Sequence, residues 1–574
     1  MKRPSTARLS QWIFLLVFAV LFVKTEYRGS DTISAAINSF FRADPLVLAS
    51  YLAANRTFTW LLFPALLMLG FTLLLGRFFC GWICPLGTVL DLVTARIKKT
   101  APLQVLKGNL KYYLLLPLLF AALFHVNLAG ILDPLAILVR ALTFFLYPLF
   151  GDTLRGGWVG LYRLIGERRD LLEPGFNLLR NHLLPFRETF YPLAFLSALL
   201  FFGILFLERY ETRNWCRNLC PLGTLLGIFS RFSPFKRLPG RLCGDCSNCR
   251  SVCPTSFDSD ELLQEECVLC LECLTGCEKG RARFAWKPGG PRSAGFVPQR
   301  RVLLGGLASG FLLSGLFRFR RPEAEARVLR PPGVQSEDDF LKKCVRCGEC
   351  LKVCLTGALY PAIAQAGVEG IYTPVVTPRL GYCEFNCTLC GQVCPTAAIP
   401  SLPVAEKRRA VIGKAHLDKN HCLPFARRTN CIVCEEHCPI PQKAIRSEIV
   451  ETLDLEGKPI SLQQPYVVEE LCNGCGICEN VCPLEGKSGI EVLAVKDRTP
   501  LKRAAIAPPE ARSTHKKESG TGTSEDAAGV TEGGGGVGGG GKEDAHPRKE
   551  SQGAVKAGGA AQDAADPYGS DAYR

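Results

Sequence analysis

Apolar residues run unbroken through long stretches of the first half of this chain and shrink to short bursts between cysteines in the second. Residues 12–23 form an apolar run behind Lys2, Arg3 and Arg8, and three more runs follow at 60–75, 112–124 and 191–207. Uncharged runs of this length predict membrane-crossing helices, the first of them short or tilted. No small-residue cleavage site follows the first run, so it reads as a span rather than a signal-peptide core. Residues 135–150 read as an interfacial or re-entrant helix. Another run, 302–317, follows Arg300 and Arg301. Its sixteen residues reach about 24 Å at helical rise, which makes it either a fifth span or the core of a cleavable signal ending near Ala324-Glu325-Ala326. Past about Pro500 the pattern dissolves into Gly, Ser, Ala and mixed charge, and a disordered tail is expected over 501–574.

Charge orients the predicted spans. The chain carries a formal net charge of +15 over 574 residues, 48% of them hydrophobic. Arg96, Lys98, Lys99, Lys107 and Lys111 lie between the second and third runs, and Arg213, Arg217, Arg231, Lys236, Arg237 and Arg241 follow the fourth. Both groups are expected on the cytoplasmic side. The stretch 151–190 is nearly balanced, six arginines against five acids. No interleaved aromatic and basic stripe accompanies the excess, so it implies a bilayer flank and no nucleic-acid partner.

All 28 cysteines fall into motifs. Cys344, Cys347, Cys350 and Cys354 are spaced C-x2-C-x2-C-x3-C, and Cys472, Cys475, Cys478 and Cys482 repeat that spacing. Cys383, Cys387, Cys390 and Cys394 add one residue to the first gap; Cys422, Cys431, Cys434 and Cys438 open it to eight. Upstream, Cys243, Cys246, Cys249 and Cys253 precede Cys267, Cys270, Cys273 and Cys277. Four soft thiolates converging from one loop and a neighbouring motif are what a [4Fe-4S] cluster requires, so six clusters are expected from these 24 cysteines. Zinc sites use two cysteine pairs with a longer spacer, and disulfide frameworks do not fall into repeated tripods. By the exchange rule, Cys277 completes the first upstream tripod and Cys253 the second. Downstream, the expected pairing is outer with outer and inner with inner: Cys482 completes the Cys344 tripod and Cys438 the Cys383 tripod, while Cys354 and Cys394 complete the other two.

The remaining four cysteines form an internal repeat. Cys80-Gly-Trp-Ile-Cys84-Pro-Leu-Gly and Cys216-Arg-Asn-Leu-Cys220-Pro-Leu-Gly stand at the ends of the second and fourth predicted spans. On one helix, positions i and i+4 put both thiols on one face, with proline breaking the chain just after. The two motifs could meet around a further metal centre; packing at a helix end or redox-active thiols fit the spacing equally well.

Four spans, two C-x3-C-P motifs and a two-cluster module make residues 1–290 resemble the membrane ferredoxin of the periplasmic nitrate reductase system, the NapH type, to which Arg8-Leu9-Ser10-Gln11 is also similar. The four-quartet order over 300–500 resembles the NapG/MauM type of polyferredoxin. The resemblance implies quinol oxidation by a bacterial inner-membrane protein and electron delivery from the quinone pool to a periplasmic reductase or cytochrome. It also implies that Arg300-Arg301 is an internal twin-arginine export signal. The first ferredoxin module would then be cytoplasmic and the polyferredoxin domain periplasmic.

The expected fold class is an α-helical membrane domain of four spans, with a candidate fifth, plus α+β bacterial-ferredoxin-like domains. Its boundaries are 1–235 for the membrane domain, 236–290 for the two-cluster module, 296–320 for the twin-arginine-like helix, 335–500 for the four-cluster domain and 501–574 for the tail. No C-x-x-C-H motif suggests haem c, and no G-x-G-x-x-G follows a predicted strand to suggest NAD or FAD. His125 is a candidate haem or quinone ligand whose plainer role is a hydrogen bond to a neighbouring helix. The leading function is a quinol dehydrogenase component with no catalytic residue assignable. The alternative is a non-catalytic electron wire or maturation scaffold that keeps a partner metalloenzyme reduced. An ion-pumping subunit would carry acids or lysines inside its spans, and the runs above contain none.

Overall fold

Helices dominate as far as residue 230, and proline and aspartate set their break points. The computed structural model describes residues 6–97, 110–165, 172–187, 189–238, 252–255, 264–277, 283–286, 300–318, 328–454, 456–496 and 498–502. The expected tail thus lies almost wholly outside the described residues. In order come α1 (Thr6–Lys24), α2 (Asn38–Arg42), α3 (Pro45–Asn55), α4 (Phe63–Leu75), α5 (Phe78–Trp82), α6 (Pro85–Thr94) and α7 (Leu110–Leu123). They are followed by α8 (Ala129–Leu132), α9 (Pro134–Ala141), α10 (Tyr147–Ile165), α11 (Glu173–His182), α12 (Ala194–Leu207), α13 (Asn214–Asn218) and α14 (Pro221–Ser230). Prolines open α3, α6, α9, α11 and α14 in the first turn, where the missing N–H costs nothing.

Among the described residues, two helices are long and apolar enough to cross a membrane: Thr6–Lys24, and the continuous Pro134–Ile165 formed when a π-helical turn, Leu142–Leu146, fuses α9 to α10. The second narrows the expectation of an interfacial or re-entrant helix over 135–150. Its N-terminal part is packed inside the protein rather than laid on an interface, and it continues well past Phe150. The other expected spans are shorter apolar helices, Trp60–Leu75, Leu110–Leu123 and Ala194–Leu207.

Beyond the helical module, β1 (Phe235–Leu238) pairs antiparallel with β2 (Arg283–Trp286), with α15 (Glu272–Thr275) between them. Next, α16 (Arg300–Arg318) lies against α7. A Cβ at Gly306 would meet Leu116 Cβ at 3.0 Å, and one at Gly310 would meet Phe120 Cβ at 2.6 Å, so glycines four apart let the two backbones approach. Residues 328–502 form the second large module from three further antiparallel pairs: β3 (Leu359–Pro361) with β4 (Pro374–Val376), β5 (Lys414–Leu417) with β8 (Ile490–Leu493), and the long hairpin β6 (Ile445–Leu453) with β7 (Pro459–Val467). Its core absorbs Phe144, Tyr191 and Leu193 of the helical module, and Phe144 stacks on Tyr372 with ring centroids 6.3 Å apart.

Candidate metal centres

Each cysteine quartet of the second module is a loop closed by a single helical turn: Glu349–Lys352, Leu389–Val393, Val433–Glu436 and Ile477–Asn480. Gly348 and Gly476 enter their turns at φ +86° and +85°, a conformation glycine adopts at little cost. A small cavity is lined by Cys344, Cys347, Cys350 and Cys394, and another by Cys422, Cys431, Cys434 and Cys482. Cys354 stands among Cys383, Cys387 and Cys390, and Cys438 among Cys472, Cys475 and Cys478. The expected outer-with-outer pairing is therefore wrong. Motif one exchanges its fourth cysteine with motif two, and motif three with motif four, because β3–β4 and β5–β8 close two adjacent units instead of one nested pair.

The fourth cysteine of every downstream motif accepts a backbone N–H a few residues later in the chain. Ala358 N donates to Cys354 Sγ at 3.2 Å, Ile399 N to Cys394 Sγ at 3.4 Å, Ala444 N to Cys438 Sγ at 3.3 Å and Gly489 N to Cys482 Sγ at 3.4 Å. Such donors favour thiolate and tune a bound cluster. Burial, reinforced by neighbouring sulfurs, pushes the Cys434 and Cys475 thiols up to about 12 and those of Cys387 and Cys422 to about 11. Metal binding here must therefore expel protons. Among the described residues, no three His, Cys, Asp or Glu side chains close on a point tightly enough for one ion.

In the upstream module Cys253 lies beside Cys267 and Cys270, in the place the exchange rule gives it. Cys243, Cys246 and Cys249 lie outside the described residues, as do Arg241 and the whole basic 98–109 stretch.

The two C-x3-C-P motifs do meet. Cys80, Cys84, Cys216 and Cys220 are 4–8% exposed, share one core and interact electrostatically across the repeats. They do not sit on single helices as expected. The first cysteine of each motif lies in α5 or α13, and the second is the N-cap of α6 or α14, extended at ψ 115° and 114° because the residue before proline avoids the helical region. Above the thiols two buried arginines cross over. Arg213 of the second repeat donates to Cys80 O at 3.0 Å and grips Asp91 of the first repeat with both Nε (2.7 Å) and Nη2 (2.6 Å). Arg77 of the first repeat reaches Gly223 and Gly227 of the second, and its Nε and Nη2 have no hydrogen-bond acceptor. Both arginines stand three residues before a motif, a repeat offset legible in the sequence that the motif spacing alone does not reveal.

Each cysteine module is seated on the helical module through the valine that follows a first cysteine. Val268 O presses on Gly81 of α5, and Val345 O on Gly130 of α8; at either glycine a Cβ would fall far inside the carbonyl oxygen. Around Val268 the contacts are ionic: Glu266 meets Arg77 at 3.3 Å and also Lys111, Glu272 meets Arg8 at 2.7 Å, and Trp82 Nε1 donates to Leu269 O at 2.9 Å. Around Val345 side chains mostly meet backbone. Asn127 Nδ2 donates to Lys342 O at 3.0 Å, Arg346 to Asn127 O, and Lys352 Nζ to Phe22 O and Thr25 O at 2.6 and 2.9 Å. Arg8 and Phe22 stand near opposite ends of α1, as Lys111 stands in the first turn of α7 and Asn127 four residues past its last.

Near the second seat a cavity of about 530 Å³ is lined by Glu26, Tyr27, Arg28, Arg155, Phe176 and Phe186, among others. Glu26, 7% exposed, accepts from Tyr147 Oη at 2.8 Å and lies 3.9 Å from Lys352 Nζ. His125 has the plainer of its expected roles, with Nδ1 2.7 Å from Ala54 O. Two acids that sequence reading passed over, Asp44 and Asp133, are 0% and 1% exposed within the helical module. Both precede Pro-Leu, a repeated signal that marks them as helix caps.

Stacked cysteine tripods with exchanged fourth ligands, on short two-stranded sheets, define an iron–sulfur electron-transfer protein of ferredoxin type. Comparison with known proteins agrees. The family described as a 4Fe-4S binding domain matches residues 57–103 and 190–239, a 4Fe-4S dicluster domain matches 237–289, and a further 4Fe-4S binding domain matches 465–485. The methylamine utilization ferredoxin-type protein MauM of Paracoccus denitrificans is 37% identical over 194 residues, 32% of this chain and 79% of its own length. MauM of Methylorubrum extorquens is 39% identical over 207 residues, covering 34% and 89%, and the ferredoxin-type protein NapG of Escherichia coli is 36% identical over 194 residues, covering 33% and 80%. The chain belongs to this MauM and NapG family of ferredoxin-type proteins. No solved structure matches it.

Proposed function

We propose that the protein is a membrane-bound quinol dehydrogenase component in which a NapH-like helical half is fused to a polyferredoxin and delivers electrons to a periplasmic reductase or cytochrome. The observation that carries this reading is the seating of the two cysteine modules at opposite ends of α1 and α7. About 28 Å separate the ends of a nineteen-residue helix, close to the thickness of a hydrocarbon core. The ionic seat with its basic surroundings is then cytoplasmic, the 328–502 module periplasmic, and α16 the fifth span joining them.

Six [4Fe-4S] clusters are assigned to the six tripods, each with its exchanged fourth cysteine, and the 4Fe-4S family match over both C-x3-C-P motifs supports a seventh at Cys80, Cys84, Cys216 and Cys220. The residues there fit such a group: four thiolates around an iron–sulfur core carry net negative charge, and Arg77 supplies two buried N–H donors that otherwise lack acceptors. Clusters of this kind supply one-electron carriers in series. Quinol docking is proposed at the cavity beside Glu26, at the end of α1 opposite the C-x3-C-P motifs. There Tyr27 and Phe186, 5.2 Å apart in an edge-on pair, offer an aromatic wall, and the Glu26 carboxylate can take a proton from a quinol hydroxyl.

The test is reduction of the bound iron–sulfur centres by a menaquinol analogue in the purified protein, with Glu26→Gln, Cys84→Ser and Cys220→Ser beside the parent. Reduction that slows at least tenfold in Glu26→Gln while the iron content holds supports the proposal. Full cluster assembly with no quinol-driven reduction in the parent would leave the protein an electron wire or maturation scaffold.

A further inference from the structure

The two halves of the helical module meet again, away from their cysteines, at Asp44 and Asp133. Each carboxylate caps its own helix: Asp44 Oδ1 accepts from Leu46 N at 2.7 Å and Val47 N at 3.4 Å, and Asp133 Oδ2 accepts from Ala136 N at 2.8 Å. That uses one oxygen of each. The others, Asp44 Oδ2 and Asp133 Oδ1, have no donor, although both residues are fully buried and their side chains lie within hydrogen-bonding reach of one another. Two carboxylates can bond to each other only through a proton, and two bare charges in one buried site repel strongly. A single shared proton satisfies both orphaned oxygens, and the N-termini of α3 and α9 favour the one negative charge that remains.

The surroundings connect this pair to a metal site. Arg140 of α9 is the cation acting on Asp133; its Nη2 donates to Ile131 O at 2.8 Å, its Nη1 points at Arg346 O at 3.5 Å, and it also interacts with Cys347. Other charged and titratable groups on the elements packed here are Arg42 of α2, Arg346 and Glu349 of the 344–350 loop, Tyr372 under Arg140, Asp339 and Lys343 near Tyr51 of α3, and His125 at Ala54 O. Gly130, three residues before Asp133, is the seat of Val345 in that same loop.

We infer that Asp44 and Asp133 form a proton-binding pair whose occupancy follows the charge on the iron–sulfur site at Cys344, Cys347, Cys350 and Cys394. With that site oxidised the pair holds one proton. When one electron arrives there, from quinol or an added reductant, the pair takes up a second proton from water, and it releases that proton when the electron leaves for the next carrier. One added negative charge is matched by one added proton. The inference rests on these four cysteines holding a cluster, and it does not need quinol to be the donor.

The test uses the full-length, cluster-loaded protein reduced with dithionite. Electron paramagnetic resonance first establishes that the Cys344 set holds a reducible cluster; its absence removes the reading beneath the inference and the inference with it. With the cluster present, the reduced-minus-oxidised infrared spectrum should gain a protonated-carboxyl band that shifts in deuterium oxide and is lost in both Asp44→Asn and Asp133→Asn. The apparent midpoint of that cluster should fall about 59 mV per pH unit, a tenfold change in proton activity for a one-electron couple. It should become independent of pH in Asp44→Asn. Should the asparagine variants fail to retain iron, the parent's carboxyl band and midpoint slope decide alone. No carboxyl band and no pH dependence in the parent, or the same band in both variants, would overturn the inference.

Discussion

The two seats of the helical module use one device and hold it by different forces. In both, a glycine in a one-turn helix, Gly81 or Gly130, accepts the carbonyl of the valine after a first cysteine. Around Val268 the clasp is made of opposite charges, Glu266 with Arg77 and Lys111, and Glu272 with Arg8. Around Val345 it is made largely of cations and amides bonded to backbone oxygens. Charge pairs tolerate small shifts of their partners and weaken with salt, whereas donors aimed at carbonyls fix one geometry and respond little to ionic strength. The difference teaches that the 328–502 module is built into the helices while the upstream module is clipped on.

Breaking one side should leave the other standing. Arg77→Gln removes a 1% exposed guanidinium from Glu266 and from the crossed pair, and should cost about 3–5 kcal/mol, read as loss of the upstream clusters' resonance signals with the downstream ones retained. Gly130→Ala and Gly81→Ala each force a methyl into a backbone carbonyl and should cost about 1–3 kcal/mol by overpacking. Limited proteolysis should then free only the module seated on the altered glycine, and release of both together would refute the independence of the seats. Raising ionic strength from about 0.1 to 1 M shortens the screening length from about 10 to 3 Å, so chemical crosslinking should fall across the Val268 seat and hold across the Val345 seat. Arg8→Ala sits at the bottom of the scale: Arg8 is 62% exposed in its pair with Glu272, and the change should cost no more than about 1 kcal/mol in thermal unfolding.

The cysteine motifs were legible because ligand chemistry fixes spacing within a loop. Their partnership was not, since 344–354 and 472–482 have identical spacing and only strand pairing decides which fourth cysteine turns toward which tripod. The helical turn at Pro85 and Pro221 was half legible: proline announced the break, but its effect on the preceding cysteine, which places Cys84 and Cys220 outside the first helix, depends on backbone sterics one residue upstream. Asp44 and Asp133 escaped because attention to long apolar runs passes over short helices folded back inside the module, where an aspartate before proline is at once a cap and a buried charge. Nor does the apolar run at 135–150 announce that Arg140 within it is 1% exposed, with its guanidinium over Tyr372.

The crossed arginines tie the two repeats together by a near-reciprocal exchange. Arg213 serves the Cys80 carbonyl and Asp91 of the other repeat, Arg77 reaches Gly223 and Gly227 of its opposite, and the position matching Asp91, seven residues past the second cysteine, is Gly227. A reciprocal exchange of this kind is what a two-fold axis between identical subunits imposes, where residue i meets j and j meets i. The helical module thus pairs its two halves within one chain much as an isologous interface pairs two subunits. Asp91 stands on one side, while on the other Gly227 leaves room for Arg77 to turn toward Glu265 and Glu266 of the clipped-on module. That single difference gives the two matching faces different partners: Asp91 within the helical module for Arg213, and the upstream cysteine module for Arg77.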